Sequence, residues 1–130
     1  MRKILFQGKE THSRKWIEGI YLDENNLGVF CDDTESEDCQ IYIFPIIRGT
    51  ARQYIGITDK NNKKVFEGDI LCFEGYSKMY VAVEWITEQA CWGYMYHGDT
   101  FQLSDILIEG KLYDYVVGNI YDNPELLKGE

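Results

Sequence analysis

The chain has 130 residues, 45% of them hydrophobic and 15% aromatic, and a formal net charge of −9 at pH 7. That length holds one domain, or two small lobes sharing a core. Its acidity argues against a general nucleic-acid binder, which must neutralise a phosphate backbone, and its longest apolar runs are too short to cross a bilayer as a helix, so no membrane partner is expected.

Residues 3–6 read as a first strand, ended by Gly8. Gln7, Lys9 and Glu10 interrupt the basic, apolar start before a signal-peptide core could form, which predicts a cytoplasmic protein. Residues 15–22 form a second strand with Trp16, Ile20 and Leu22 on one side and Ile17 and Tyr21 on the other, a pattern that predicts burial on both faces. A turn at residues 23–26 leads into a third strand at 27–31, giving an antiparallel hairpin. Residues 32–38, D-D-T-E-S-E-D, lack the ligand spacing and central glycine of an EF-hand, so they read as a solvated loop and not a calcium site. Residues 40–47 are strongly β, with Pro45 marking an edge or a bend.

The chain is organised around residues 53–71, Q-Y-I-G-I-T-D-K-N-N-K-K-V-F-E-G-D-I-L. Tyr54, Ile55 and Ile57 suit a half-buried strand. Asp59 can bond its own backbone two residues on, and the asparagines tolerate a left-handed conformation, so residues 59–62 form a turn. Val65 and Phe66 restart the strand, and Gly68 bends it while Asp69 ties the bend. Glu67 and Asp69 are two apart, so on a regular strand they would share a face and could do acid–base work; a bend with one exposed carboxylate is the plainer reading.

Residues 70–73 are the next strand, and residues 79–86 its partner, with Val81, Val83 and Trp85 opposing Tyr80, Ala82 and Glu84. Residues 92–97 are aromatic-rich, residues 98–100 turn, two short apolar pieces follow at 101–103 and 106–108, and residues 113–121 form the last strand. Asn123, Pro124 and Glu125 predict one helical turn, capped by Asn123, which docks Leu126 and Leu127 on the body or offers them to a partner. Short strands separated by turn residues predict a mainly β protein of antiparallel strands: an N-terminal β lobe (1–52), a small SH3-like barrel (53–121) and a short C-terminal helical tail (122–130), together one compact unit.

Four cysteines, Cys31, Cys39, Cys72 and Cys91, contain no C-x-x-C pair, and the two histidines, His12 and His97, are not at zinc-ligand spacing from them. Free thiols, no metal and no cofactor are expected. Charge is uneven: residues 1–15 hold five Lys/Arg against one acid, residues 16–45 hold eight acids and no Lys/Arg, and residues 48–64 hold five Lys/Arg against one acid. The basic segments either meet as a local anion-binding patch or complement the acidic ones, within one chain or between subunits.

The stretch R-Q-Y-I-G-I-T-D-K-N-N-K-K-V-F-E-G-D-I-L resembles the signature of the YopX-like family of phage and prophage proteins. I-L-F-Q-G-K at 4–9, K-W-I-E-G at 15–19 and V-V-G-N-I-Y-D-N-P-E-L-L at 116–127 resemble the family's other motifs, in the same order, over about half the chain. Asn62 stands where the family favours glycine, and Gln7 where a basic residue is common. The resemblance implies a phage or prophage origin and an architecture, with no activity to transfer.

No catalytic constellation is legible, so the chain reads as a non-enzyme. Trp85, Trp92, Tyr94, Tyr96 and Phe101 are the first candidate binding surface, weighed against a core role, and Lys60, Lys63 and Lys64 on the central turn are the second. A protein-binding or assembly module is expected, self-associating and contacting a host or phage protein. A nucleic-acid-associated regulator is the alternative, and a metal-dependent hydrolase using Glu67 and Asp69 the third.

Overall fold

The computed structural model describes residues 4–30, 41–74 and 78–128. The acidic run 32–38, Cys31, Cys39, Gln40 and residues 75–77 lie outside the described residues. The chain is mainly β and antiparallel, as its turn spacing predicts, with three short 3-10 turns and no longer helix among the described residues. It divides into two compact units, Met1–Tyr54 and Ile55–Glu130.

In the first unit β1 (Phe6–Lys9), β2 (Trp16–Asp23), β3 (Asn26–Phe30) and β4 (Ile41–Pro45) pair antiparallel in chain order. The start of β5 (Arg52–Thr58) pairs with β1, setting Gln53 opposite Phe6 and Arg52 opposite Gln7. Asp23 closes the β2–β3 turn by accepting the Asn25 N–H at 2.7 Å. Beyond β4 the chain turns onto β1: Ile46 bridges Glu10, and Ile47 N–H donates to the Lys9 carbonyl at 2.8 Å.

Two expectations for this unit fail. β1 runs through Gly8 instead of ending there, because a side chain at Gly8 would stand 2.9 Å from the buried Ile46; the glycine serves close packing, not termination. β2 is not buried on both faces, since Tyr21 and Leu22 are exposed. Trp16 is half-buried with the Arg52 guanidinium 4.3 Å and the Lys9 ammonium 5.7 Å from its ring centroid. Arg52 is itself buried and donates from Nε and Nη2 to Gln7 Oε1 at 3.2 and 2.8 Å.

The second unit follows the central stretch closely. After β5 the turn is tied by Asp59: Oδ1 accepts the Asn61 and Lys63 N–H groups at 2.8 and 2.9 Å, and Oδ2 accepts Val116 N–H at 3.0 Å. Asn62 takes the left-handed conformation, φ 64°. β6 (Lys64–Phe66) leads to Gly68 at φ 85°, and Asp69 Oδ2 accepts the Phe66 N–H at 2.8 Å across the bend. β7 (Asp69–Glu74) then pairs with β8 (Lys78–Ala82) on one side and β14 (Tyr115–Asn119) on the other. The expected single strand over 79–86 is broken at Val83, whose N–H and carbonyl bond Asp69 and Gly68 at 2.8 and 2.9 Å; β9 (Glu84–Ile86) continues into a different sheet.

That second sheet is β9, β10 (Cys91–Tyr96) and β11 (Asp99–Gln102). His97 and Gly98, at φ 51° and 83°, make the two-residue turn between its last strands. β12 (Leu107–Ile108) pairs with β13 (Lys111–Leu112), which meets β5 in parallel at Thr58. This is a small β domain, and among the described residues its strands do not close into a ring. Its core is Val65, Leu71, Val81, Val83, Tyr94, Leu103 and Leu112.

The tail forms one 3-10 turn, Pro124–Leu127, packed on β8. Asn123 does not cap it; its Oδ1 instead accepts the Asn119 N–H at 3.2 Å.

Candidate binding surfaces

The five predicted aromatics share one sheet face. Trp85 lies opposite Trp92, and Tyr94 opposite Phe101, so the two-residue period of β10 puts Trp92, Tyr94 and Tyr96 on the side of both partners. Trp85 and Trp92 meet edge to face with ring centroids 5.2 Å apart, and Tyr94 stacks on Phe101 at 5.3 Å. The face mostly walls the core: Tyr94 is 8% exposed, while Trp85 and Phe101 keep 47% and 41%. Burial, followed by the charges of Asp114 and Asp105, pushes the Tyr94 hydroxyl above its ordinary value. The edge-to-face pair should register in a double-mutant cycle. Trp85→Ala, Trp92→Ala and the double variant should show a coupling of about 0.5–1.5 kcal/mol in urea unfolding, and additive losses would remove the pair from the account.

The three predicted lysines do not converge on one cavity. Lys60 borders two clefts, of about 220 and 250 Å³, and neither Lys63 nor Lys64 lines either. The first cleft is lined by Lys60, Ile108, Lys111, Leu112 and Tyr113. The second brings Lys60 to Cys72, Glu74, Tyr113, Asp114 and Tyr115. Sequence reasoning missed Lys111, Glu74 and the Tyr-Asp-Tyr run 113–115, because only the pairing of remote strands delivers them to Lys60.

Lys60 is anchored through its N–H to the Asp114 carbonyl at 3.1 Å, and its ammonium lies 5.0 Å from the Tyr115 ring centroid. Tyr115 donates its hydroxyl proton to Glu74 Oε1 at 2.6 Å. That bond holds the Glu74 carboxyl below its ordinary range and, with the neighbouring Cys72 thiol, pushes Tyr115 well above the usual phenol. Burial, reinforced by Glu74 and opposed by Lys60, raises the Asp114 carboxyl. A carboxyl raised on folding contributes stability below the unfolded value and loses it as pH rises through the folded one. Asp114→Asn should therefore melt slightly higher than the parent at pH 7 and match it at pH 3. Equal melting curves at both pH values would contradict this.

The Glu67–Asp69 pair does not form a shared acidic face. Gly68 stands between them with φ 85°, so the strand is not regular there, and Asp69 is buried and committed to Phe66. Cys72 is buried and Cys91 half-buried, both as free thiols. Among the described residues no three His, Cys, Asp or Glu side chains group as metal ligands. The basic segments are partly consumed within the first unit, Arg52 by Trp16 and Gln7, and Arg48 by Glu24 at 3.0 Å.

A further surface was not singled out by sequence. All five residues of β4 are exposed, Ile43 by 65%. The register of β2, β3 and β4 places Ile20, Leu22, Ile41 and Ile43 on one sheet face around Gly28. A side chain at Gly28 would meet Ile41, Ile20 and Leu22 at 3.0, 3.2 and 3.3 Å, so these groups already form a continuous apolar surface.

Fold and surfaces define a small all-β protein of two units, with an exposed apolar strand, a partly buried aromatic sheet face and a lysine–tyrosine cleft. The chain belongs to the YopX family: the family model described as YopX protein matches residues 5–128. A solved structure with a similar fold is protein EF1440 from Enterococcus faecalis, with a TM-score of 0.62 and 21% identity over 98% of this chain and 99% of that one. No curated protein matches. Among the described residues no helix is long and apolar enough to cross a membrane.

Proposed function

We propose that the chain is a phage- or prophage-encoded, cytoplasmic protein that acts without catalysis, as a self-associating protein-binding or assembly module. The observation that carries this reading is the apolar face of β2–β4, where Leu22, Ile41 and Ile43 are exposed side by side. Contiguous apolar surface of this kind is the usual mark of a protein contact. Family membership supports the phage assignment, and the bent strand at Gly68 with its meander supports an SH3-like arrangement of strands in the second unit. The test pairs light scattering of the purified chain with affinity capture from infected or induced cells. An oligomer, or a partner lost on Leu22→Ser, supports the module. A strict monomer that captures nothing contradicts it.

A second reading, a nucleic-acid-associated regulator, is favoured by the cleft that sets Lys60 and Lys111 beside Tyr113, which is 72% exposed. Fluorescence anisotropy with single- and double-stranded DNA and RNA at low salt decides it. Binding that fails there fails everywhere, because low salt is the most permissive condition.

A further inference from the structure

Among the described residues β4 ends its sheet, and its outer edge has a self-complementary hydrogen-bonding pattern. Ile46 N–H donates to the Asn25 carbonyl at 2.8 Å, and the ladder sets Asn26 opposite Pro45, so Asn25 and Ile46 are a hydrogen-bonded pair. Antiparallel ladders alternate, so Phe44 and Tyr42 also turn their peptide groups inward to β3. Ile41, Ile43 and Pro45 therefore turn theirs outward. Pro45 has no N–H to lose at an outward position, which is why a proline is tolerated inside this strand. From Pro45 onward the outer side is already taken: Thr11 N–H donates to the Pro45 carbonyl at 3.0 Å and Ile47 N–H to Lys9. The outward peptide groups with no described partner are those of Ile41 and Ile43.

The geometry points to a second copy of this chain as the occupant of that edge. β4 pairs with β4 of the other copy, antiparallel, about a two-fold axis at Tyr42. The inference rests on the assembly reading above and names its contact. In this register Ile41 of one copy faces Ile43 of the other, twice, and the four outward N–H groups meet four outward carbonyls. A register centred one residue later would set Ile41 against Pro45, which has no donor and whose carbonyl already accepts Thr11 N–H.

Side chains and charge agree with this choice of partner. Opposed residues of an antiparallel pair share a face, so the Ile41 and Ile43 side chains of both copies adjoin, and the two Leu22–Ile43 surfaces become continuous. Each chain carries a net charge of −9, yet β4 holds no charged residue, so two copies can approach there with little local repulsion.

Sedimentation equilibrium over a concentration series tests the pairing, with circular dichroism confirming that each variant is folded. The wild-type chain should dimerise. Ile43→Pro removes an outward N–H and leaves the β3 ladder intact, and it should weaken the dimer by about 100-fold or more. A second variant does not depend on tolerating proline. Tyr42→Cys puts two cysteines at a non-hydrogen-bonded pair about 4.5 Å apart between Cα atoms, within disulfide reach. On mild oxidation it should give a covalent dimer linked at residue 42. The wild-type chain, with its four native cysteines, is oxidised in parallel as the baseline. A monomer at every concentration overturns the pairing, as does a dimer that Ile43→Pro leaves unchanged and Tyr42→Cys does not trap. In the last case self-association still stands. A monomer that captures a foreign protein likewise ends the pairing but not the assembly reading.

Discussion

Replacing Asp59 by alanine should lower stability by about 3–5 kcal/mol, the largest loss expected from a single carboxylate in this chain. Asp59 is 1% exposed and accepts from three backbone N–H groups, two in its own turn and one, Val116, at the far end of the second unit. Alanine leaves all three donors without that acceptor, at about 1–3 kcal/mol for each that stays buried. It also unties Lys60, whose N–H meets Asp114 next to the Val116 contact. Asp59→Asn keeps one acceptor oxygen and should fall between the two. Urea unfolding followed by tryptophan fluorescence measures the loss, and a change below about 1 kcal/mol would show that water replaces the carboxylate.

Gly93→Ala should cost about 3 kcal/mol, for a reason unlike that of most glycines. Its backbone needs no unusual φ. A Cβ there would stand 2.2 Å from the Phe101 carbonyl oxygen and 2.9 Å from Ile86. The oxygen belongs to the neighbouring strand, so β11 must move away from β10, and the Tyr94–Phe101 stack moves with it. Gly98 provides the contrast: a Cβ meets nothing within 4 Å, but φ is 83°, so Gly98→Ala should cost only about 1 kcal/mol from backbone strain. Thermal melts of the two variants should keep that order, and equal losses would contradict the account of Gly93.

Much of the central stretch was legible because its determinants are local. The Asp59 turn, the left-handed Asn62, the Gly68 bend and the Asp69 tie each rest on residues within four positions of one another, and each is found in the structure. The family resemblance was carried by the same stretch and holds over nearly the whole chain. What escaped was non-local. Alternation in residues 79–86 described one strand, yet Val83 is claimed by Gly68 and Asp69, and no periodicity reports that. Apolar groups on both sides of β2 suggested burial, but whether a face is covered depends on what packs over it, and Leu22 is left exposed. Asn123 looked like a helix cap because Asn, Pro and Glu follow one another; the fold spends its side chain on Asn119 instead.

The candidate surfaces show the same division. The aromatic residues could be named from sequence, but their common face needed the β9–β10–β11 register. The Lys60 clefts depend on partners 12 to 55 positions away and had no sequence signal beyond the Tyr-Asp-Tyr run. β4 was recognised as a strand with a proline at its edge, and the direction of its peptide groups became readable only once its pairing with β3 was fixed.

The most direct measurement is residue-resolved amide hydrogen exchange by NMR across β4, at low and high protein concentration. The account predicts that Tyr42 and Phe44, bonded inward to β3, are protected at both concentrations. Ile41 and Ile43 should exchange freely when dilute and become protected when concentrated. Ile41 and Ile43 amides that exchange equally fast at every concentration would contradict it.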